Sequence, residues 1–187
     1  MKNNSKITKM VETSVLAALA VVFMFLIRFW LLPGAKFLEY DMGDVPVIIA
    51  SLFLGPASGS AVLFFVALIQ SLTVSAASSW QGFLMHFLSS EVYIIILWLL
   101  NKKLTSKKGF IVSLMIGTLS MTAVMIPLNL IFTPMYMGVP VSAVAEMLLP
   151  VIIPFNLIKG CINSFTVFLL HSPLKKILEK SNLLPKK

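Results

Sequence analysis

The chain has 187 residues, 58% hydrophobic and only 12% charged, with a mean hydropathy of +0.96. A soluble domain is about half apolar and about a quarter charged, so this composition excludes a water-soluble globular protein and describes an integral membrane one. The net charge of +8 does not point to nucleic acid, because twelve of the fifteen basic residues fall in three clusters that border apolar runs. These are Lys2, Lys6 and Lys9; Lys102, Lys103, Lys107 and Lys108; and Lys175, Lys176, Lys180, Lys186 and Lys187. Lysines so placed mark cytoplasmic loops under the positive-inside rule.

A spanning helix takes about 20 residues, so the length accommodates roughly six spans joined by short loops. The expected fold class is an all-α integral membrane protein, a bundle of six transmembrane helices in a single domain over residues 1–187, with both termini cytoplasmic. The first span covers about residues 8–32 and ends at Pro33-Gly34. It is too long for a signal peptide and lacks a small-residue cleavage site, so it reads as a retained helix. Thr13, Ser14, Ala17 and Ala18 give it two overlapping pairs of small residues four apart, a spacing that allows close approach of another helix. Arg28, near its far end, has the reach to snorkel to the outer interface.

The stretch from Lys36 to Pro46, KFLEYDMGDVP, holds three of the seven carboxylates, Glu39, Asp41 and Asp44, between two apolar runs. By itself it is a solvated connector. Asp44 is a candidate N-cap, with Pro46 in the first turn of the helix that follows. That helix, 45–54, is short for a span and is broken by Gly55-Pro56. The third covers 58–74. Two crossings or one re-entrant hairpin satisfy the charge pattern equally over this region, and two crossings are adopted, the first of them short or tilted. The fourth, fifth and sixth helices cover about 81–100, 109–132 and 150–170. Residues 141–149 form a short interfacial helix before the last span. This topology puts the acidic loop on the outer side, opposite the lysine clusters.

The sixth span contains Asn156, Lys159 and Asn163, three and four residues apart and therefore on one face. Lys159 is about ten residues into that helix, roughly 15 Å, near mid-depth. A lysine there marks a functional site by default; a structural ion pair with Glu91, at similar depth in the fourth helix, is compatible with that role. The fifth helix offers Thr122 and Asn129 on one face. His86, Ser89, Ser90 and Glu91 make the fourth helix partly polar, but His86 and Glu91 are about 140° apart around it. No paired-histidine motif accompanies them, so no metal site is expected. Cys161, the only cysteine, excludes an internal disulfide and reads as a packing residue. The chain has no Gly-x-x-x-x-Gly-Lys-Ser/Thr loop, so any ATP-driven step falls to a partner. Amide and ammonium groups with Met, Phe, Tyr and Trp walls suit a small ligand with hydroxyl and carbonyl groups and a flat apolar part.

The small-residue start of the first helix, the loop KFLEYDMGDVP running into IIASLFLGPASG, and the segment PFNLIKGCIN resemble the riboflavin-specific S components of energy-coupling factor transporters. The resemblance covers most of the chain. It implies a six-helix plasma-membrane subunit that captures riboflavin outside the cell and delivers it inward, with no cofactor. Its partners would be a transmembrane coupling protein and two cytoplasmic ATPases, with toppling of the S component carrying the pocket inward. Carried over residue by residue, it nominates Leu38, Glu39, Tyr40, Asp41, Asn129, Asn156, Lys159 and Asn163 for the ligand. Ser14 and Ala18, with Ala17 beside them, are nominated for the coupling protein, Ser14 replacing the first alanine of the family's Ala-x-x-x-Ala pattern. The competing readings are an S component for another vitamin or precursor, a passive carrier, and a small intramembrane enzyme using His86, Glu91 or Lys159. The chain lacks a recognisable nucleophile–base pair, so it is expected not to be an enzyme, and His86→Ala is expected to leave uptake largely intact.

Overall fold

The computed structural model describes residues 2–35 and 37–180; Lys36, Lys186 and Lys187, and the side chain of Lys2, lie outside the described residues. The chain is nearly all helical: α1 (Lys2–Leu26), α2 (Asp44–Leu54), α3 (Pro56–Leu72), α4 (Ser79–Lys103), α5 (Lys107–Met137), α6 (Val141–Met147) and α7 (Ile153–Lys180). Two strands of two residues, β1 (Arg28–Phe29) and β2 (Tyr40–Asp41), pair antiparallel between α1 and α2.

Among the described residues, four segments are long and apolar enough to cross a membrane: Lys6–Leu26, Ser79–Lys103, Lys107–Met137 and Val141–Leu178. The helices α2 and α3 are apolar but shorter, with 11 and 17 residues. At 1.5 Å per residue they reach roughly 16 and 25 Å, against about 30 Å of hydrocarbon. Gly55 separates them with φ +95°, a left-handed conformation that favours glycine, and Pro56 then occupies the first turn of α3, where its missing N–H costs nothing.

Several boundaries differ from the sequence reading. α1 stops at Leu26, six residues before the expected end, because residues 28–29 leave the helix to pair with residues 40–41. α5 runs on through Pro134 to Met137, with the Gly138 N–H closing the last turn onto the Pro134 carbonyl. The interfacial helix is joined to the last span by a π-helical turn, Leu148–Ile152. Pro150 lies in that turn and has no N–H to give an α-helical ladder, so the wider turn carries the chain past it without a break. α7 then continues into the basic tail as far as Lys180.

The main core joins Ala20 and Met24 of α1, Val45 and Val47 of α2, Val62 and Val66 of α3, Ile94 and Leu97 of α4, and Val167 of α7. A smaller cluster of Leu38, Val144, Ile152 and Phe155 ties the loop after β1 to the start of α7. α4 packs along α5, and α5 along α7. At Gly160, an added Cβ would come within 2.5 Å of Thr118 Cγ2, so glycine is what lets α7 lie this close to α5. The lysine-bearing end of α4 and start of α5 meet at one turn, and His171 of α7 packs on Phe110 and Phe53, which brings the lysine-bearing end of α7 to the same end of the bundle. The β1–β2 strap and the starts of α2, α4 and α7 gather at the other.

Candidate functional site

At the strap end lies a cavity of about 240 Å³. Its apolar walls include Phe37, Leu38, Met85, Met121, Met125 and Phe155. Its polar groups come from Glu39 on the strap, Gln70 at the end of α3, His86 and Ser89 on α4, and Asn156 and Lys159 on α7. Few polar groups converging on apolar walls is the usual make-up of a small-molecule site.

A buried ionic network lies beside it. Lys159 Nζ is 3.0 Å from Asp44 Oδ2 and 3.9 Å from Asp41 Oδ2. The other Asp44 oxygen is 2.8 Å from His86 Nε2 and accepts from the Ser90 hydroxyl at 3.2 Å. Asp41 accepts from the Gly43 N–H and from Gln70 Nε2, each at 3.0 Å. Both aspartate side chains are 4% exposed. Carboxylates at that depth are sustained by paired charge and by the hydrogen bonds that occupy their remaining lone pairs.

The strap holds Tyr40 over this network. Its ring packs on Phe29, its strand partner, with centroids 5.0 Å apart. Its hydroxyl donates to Asn163 Oδ1 at 2.9 Å. Burial pushes the Tyr40 phenol up to about 12; Lys159 opposes the rise, while Asp44 and Asp41 add to it. The phenol is therefore protonated, and available as a donor, throughout the physiological range. Arg28 pairs with Glu39 across the strap and does not stand free as an interfacial anchor.

The predicted residues divide by position. Leu38, Glu39, Asn156 and Lys159 line the cavity. Tyr40, Asp41 and Asn163 support it from the adjoining network, outside the lining. Asn129 lies elsewhere: fully buried in α5, it donates to the Met125 carbonyl and accepts from the Thr133 hydroxyl. Glu91 does not pair with Lys159; Ser60 on α3 donates to it at 2.6 Å. Asp44 opens α2 without capping it by its side chain, which turns to Lys159 and His86. His86, set aside in the sequence for want of a metal partner, is part of the network and lines the cavity. Gln70 was missed altogether, although a glutamine in an otherwise apolar helix is a signal of the same kind as Lys159. His86 Nδ1 and Gln70 Oε1 are buried and bonded to no protein group.

Away from the cavity lining, Ser14 and Ala18 are exposed on α1, and Ala17 is half-buried beside them. The Ser14 hydroxyl is bonded to the Met10 carbonyl of its own helix, so the surface it presents is small and without a free donor.

A small helical membrane bundle with a polar-floored pocket at one end is the architecture of a substrate-capturing membrane subunit. The family model for the ECF transporter substrate-specific component matches residues 8–171, and the chain belongs to that family. It is 35% identical over 183 residues to the riboflavin transporter FmnP of Bacillus subtilis (strain 168), covering 94% of this chain and 96% of that one. It is 30% identical over 180 residues to the riboflavin transporter RibU of Streptococcus thermophilus, covering 92% and 85%. A solved structure, described as the S component of a bacterial ECF transporter, superposes with a TM-score of 0.80 at 29% identity, over 92% of this chain and 98% of that one.

Proposed function

We propose that this chain is a riboflavin-binding S component, which captures the vitamin in the cavity beneath the strap and delivers it inward with a coupling protein and two ATPases. The observation that carries this reading is the buried set at the cavity floor. Lys159 is already neutralised by Asp44, while His86 Nδ1 and Gln70 Oε1 have no protein partner. A neutral ligand with hydroxyl, carbonyl and ring N–H groups satisfies such a floor without leaving a charge unpaired. The flat ring of riboflavin suits the methionine and phenylalanine walls. The relatives, both named riboflavin transporters, agree with this substrate.

The site residues proposed to touch ligand are Leu38, Glu39, Asn156 and Lys159, joined by Gln70 and His86. Tyr40, Asp41, Asp44 and Asn163 hold them in place, and Asn129 acts through the packing of α5. The lysine clusters at the far end of the bundle support cytoplasmic termini and an outward-facing pocket. Six crossings follow if α2 and α3 each traverse the membrane as short or tilted spans. The exposed Ser14–Ala18 face supports α1 as the surface for the coupling protein. ATP hydrolysis then falls to the partner subunits, and this chain is not an enzyme.

The test is the absorption spectrum of the purified protein, followed by titration of the flavin-free form with riboflavin. A yellow preparation, and quenching of flavin fluorescence at micromolar protein or below, are expected. A colourless preparation that leaves flavin fluorescence unchanged would overturn the substrate assignment.

A further inference from the structure

A second cavity, of about 410 Å³, lies between α5 and α7, away from the site above and facing outward from the bundle. Its walls are Ile111, Met115 and Leu119 on α5 and Cys161, Phe165 and Phe168 on α7. Met115 is 59% exposed and Phe165 is 64% exposed, so the groove is open along its length. The two hydroxyls at its base are already engaged: Thr118 and Ser164 bond to each other at 3.0 Å, and Ser164 also bonds to Tyr93 at 2.8 Å. What remains is an apolar channel.

Its dimensions select among occupants. From Leu157 to Phe168 the groove follows α7 for roughly 16 Å, which is close to half of a hydrocarbon core of about 30 Å. Apolar along that whole length, the groove suits a hydrocarbon chain lying in it. The ends carry the second observation. Lys107 and Lys108 precede Ile111 by one helical turn on α5, and Lys175 and Lys176 follow Phe168 by two turns on α7. The helical period puts them on the same faces as the groove walls, and all four are exposed.

We propose that this groove holds one acyl chain of an anionic phospholipid, with the lipid phosphate held among Lys107, Lys108, Lys175 and Lys176. Apolar depth matched to one leaflet and a basic rim at its mouth are both needed for that lipid. A neutral lipid would gain only the groove, and a soluble anion only the rim. The assignment is independent of the flavin pocket.

The test uses the full chain, delipidated in detergent and incubated with mixed vesicles of phosphatidylglycerol and phosphatidylcholine bearing the same acyl chains. Native mass spectrometry then counts the lipids retained. The native chain is expected to retain phosphatidylglycerol about tenfold over phosphatidylcholine. Cys161→Trp and Met115→Trp, which fill the groove from opposite walls, are each expected to cut that retention at least about fivefold. Either variant suffices if the other does not elute as a folded monomer. Changing the four lysines to glutamine is expected to abolish the preference while leaving both lipids bound at the phosphatidylcholine level. Equal retention of the two lipids by the native chain, or undiminished retention in a folded tryptophan variant, would overturn the proposal.

Discussion

Lys159 Nζ lies 3.0 Å from Asp44 Oδ2, joining the second turn of α7 to the first turn of α2. Both side chains are nearly buried, at 11% and 4% exposure, so neither charge is carried by bulk water. His86, Ser90 and Asn163 complete the shell around the same carboxylate. The pair therefore ties α2 to α7, with α4 on the same carboxylate, beside the cavity.

Lys159→Ala removes the ammonium and leaves Asp44 buried without its main counter-charge. Breaking a buried pair from one side costs about 3 kcal/mol or more of stability, so a lower melting temperature is expected, and the loss of Lys159 from the cavity lining is expected to weaken riboflavin binding about tenfold. The control is Lys102→Ala, whose ammonium sits 3.6 Å from the centroid of the Trp98 ring at the lysine end of α4. It is expected to leave affinity unchanged. Fluorescence titration of both variants checks this; equal affinities would remove Lys159 from the site.

His86→Ala takes one hydrogen bond from Asp44 and one polar group from the cavity wall. About 1.5 kcal/mol, or roughly tenfold in affinity, is expected for the loss of a hydrogen bond to a charged group. Uptake at limiting riboflavin should fall accordingly, in contrast to the dispensable role expected from the sequence. His86→Gln keeps a donor for Asp44 and should recover most of the loss. Identical binding by the alanine variant and the native chain would count against a role for His86.

Tyr40→Phe strands the Asn163 carbonyl oxygen and is expected to cost about 1–2 kcal/mol. Its pH signature is distinctive. The phenol is pushed from its ordinary value near 10 up to about 12, so the folded state favours the protonated form. The resulting stabilisation is complete below pH 10 and is lost as pH rises from 10 through 12. Thermal melts of the native chain should show that alkaline loss, and Tyr40→Phe should show less of it. Parallel alkaline losses in the two proteins would contradict the assignment.

Ala18→Trp puts a large ring on the exposed small-residue face of α1, which contributes nothing to the cavity lining. Co-purification with the coupling protein is expected to drop at least about tenfold, while riboflavin titration stays within about twofold of native. An intact complex recovered from this variant would move the partner surface elsewhere.

Much of the architecture is readable in one dimension. Hydropathy marks the apolar runs, the lysine clusters mark one end of the bundle, and Gly55-Pro56 marks the break between α2 and α3. Helical spacing alone puts Asn156, Lys159 and Asn163 on one face of the last helix. The strap was hidden, because two residues of strand pairing leave no periodicity to read; it needed Arg28–Phe29 to meet Tyr40–Asp41 across a loop.

The sequence by itself determined that this is a membrane bundle with a lysine inside an apolar helix, because burial of charge in hydrocarbon is costly wherever the helix lies. Only the tertiary structure decided what that lysine meets. Depth along a helix says nothing about which helices are neighbours, and similar depth pointed to Glu91 as its partner. The fold sets α2 against α7 and turns Glu91 toward Ser60 on α3. Asp44, a residue whose position suggested only the start of a helix, thereby becomes the partner of Lys159 beside the cavity.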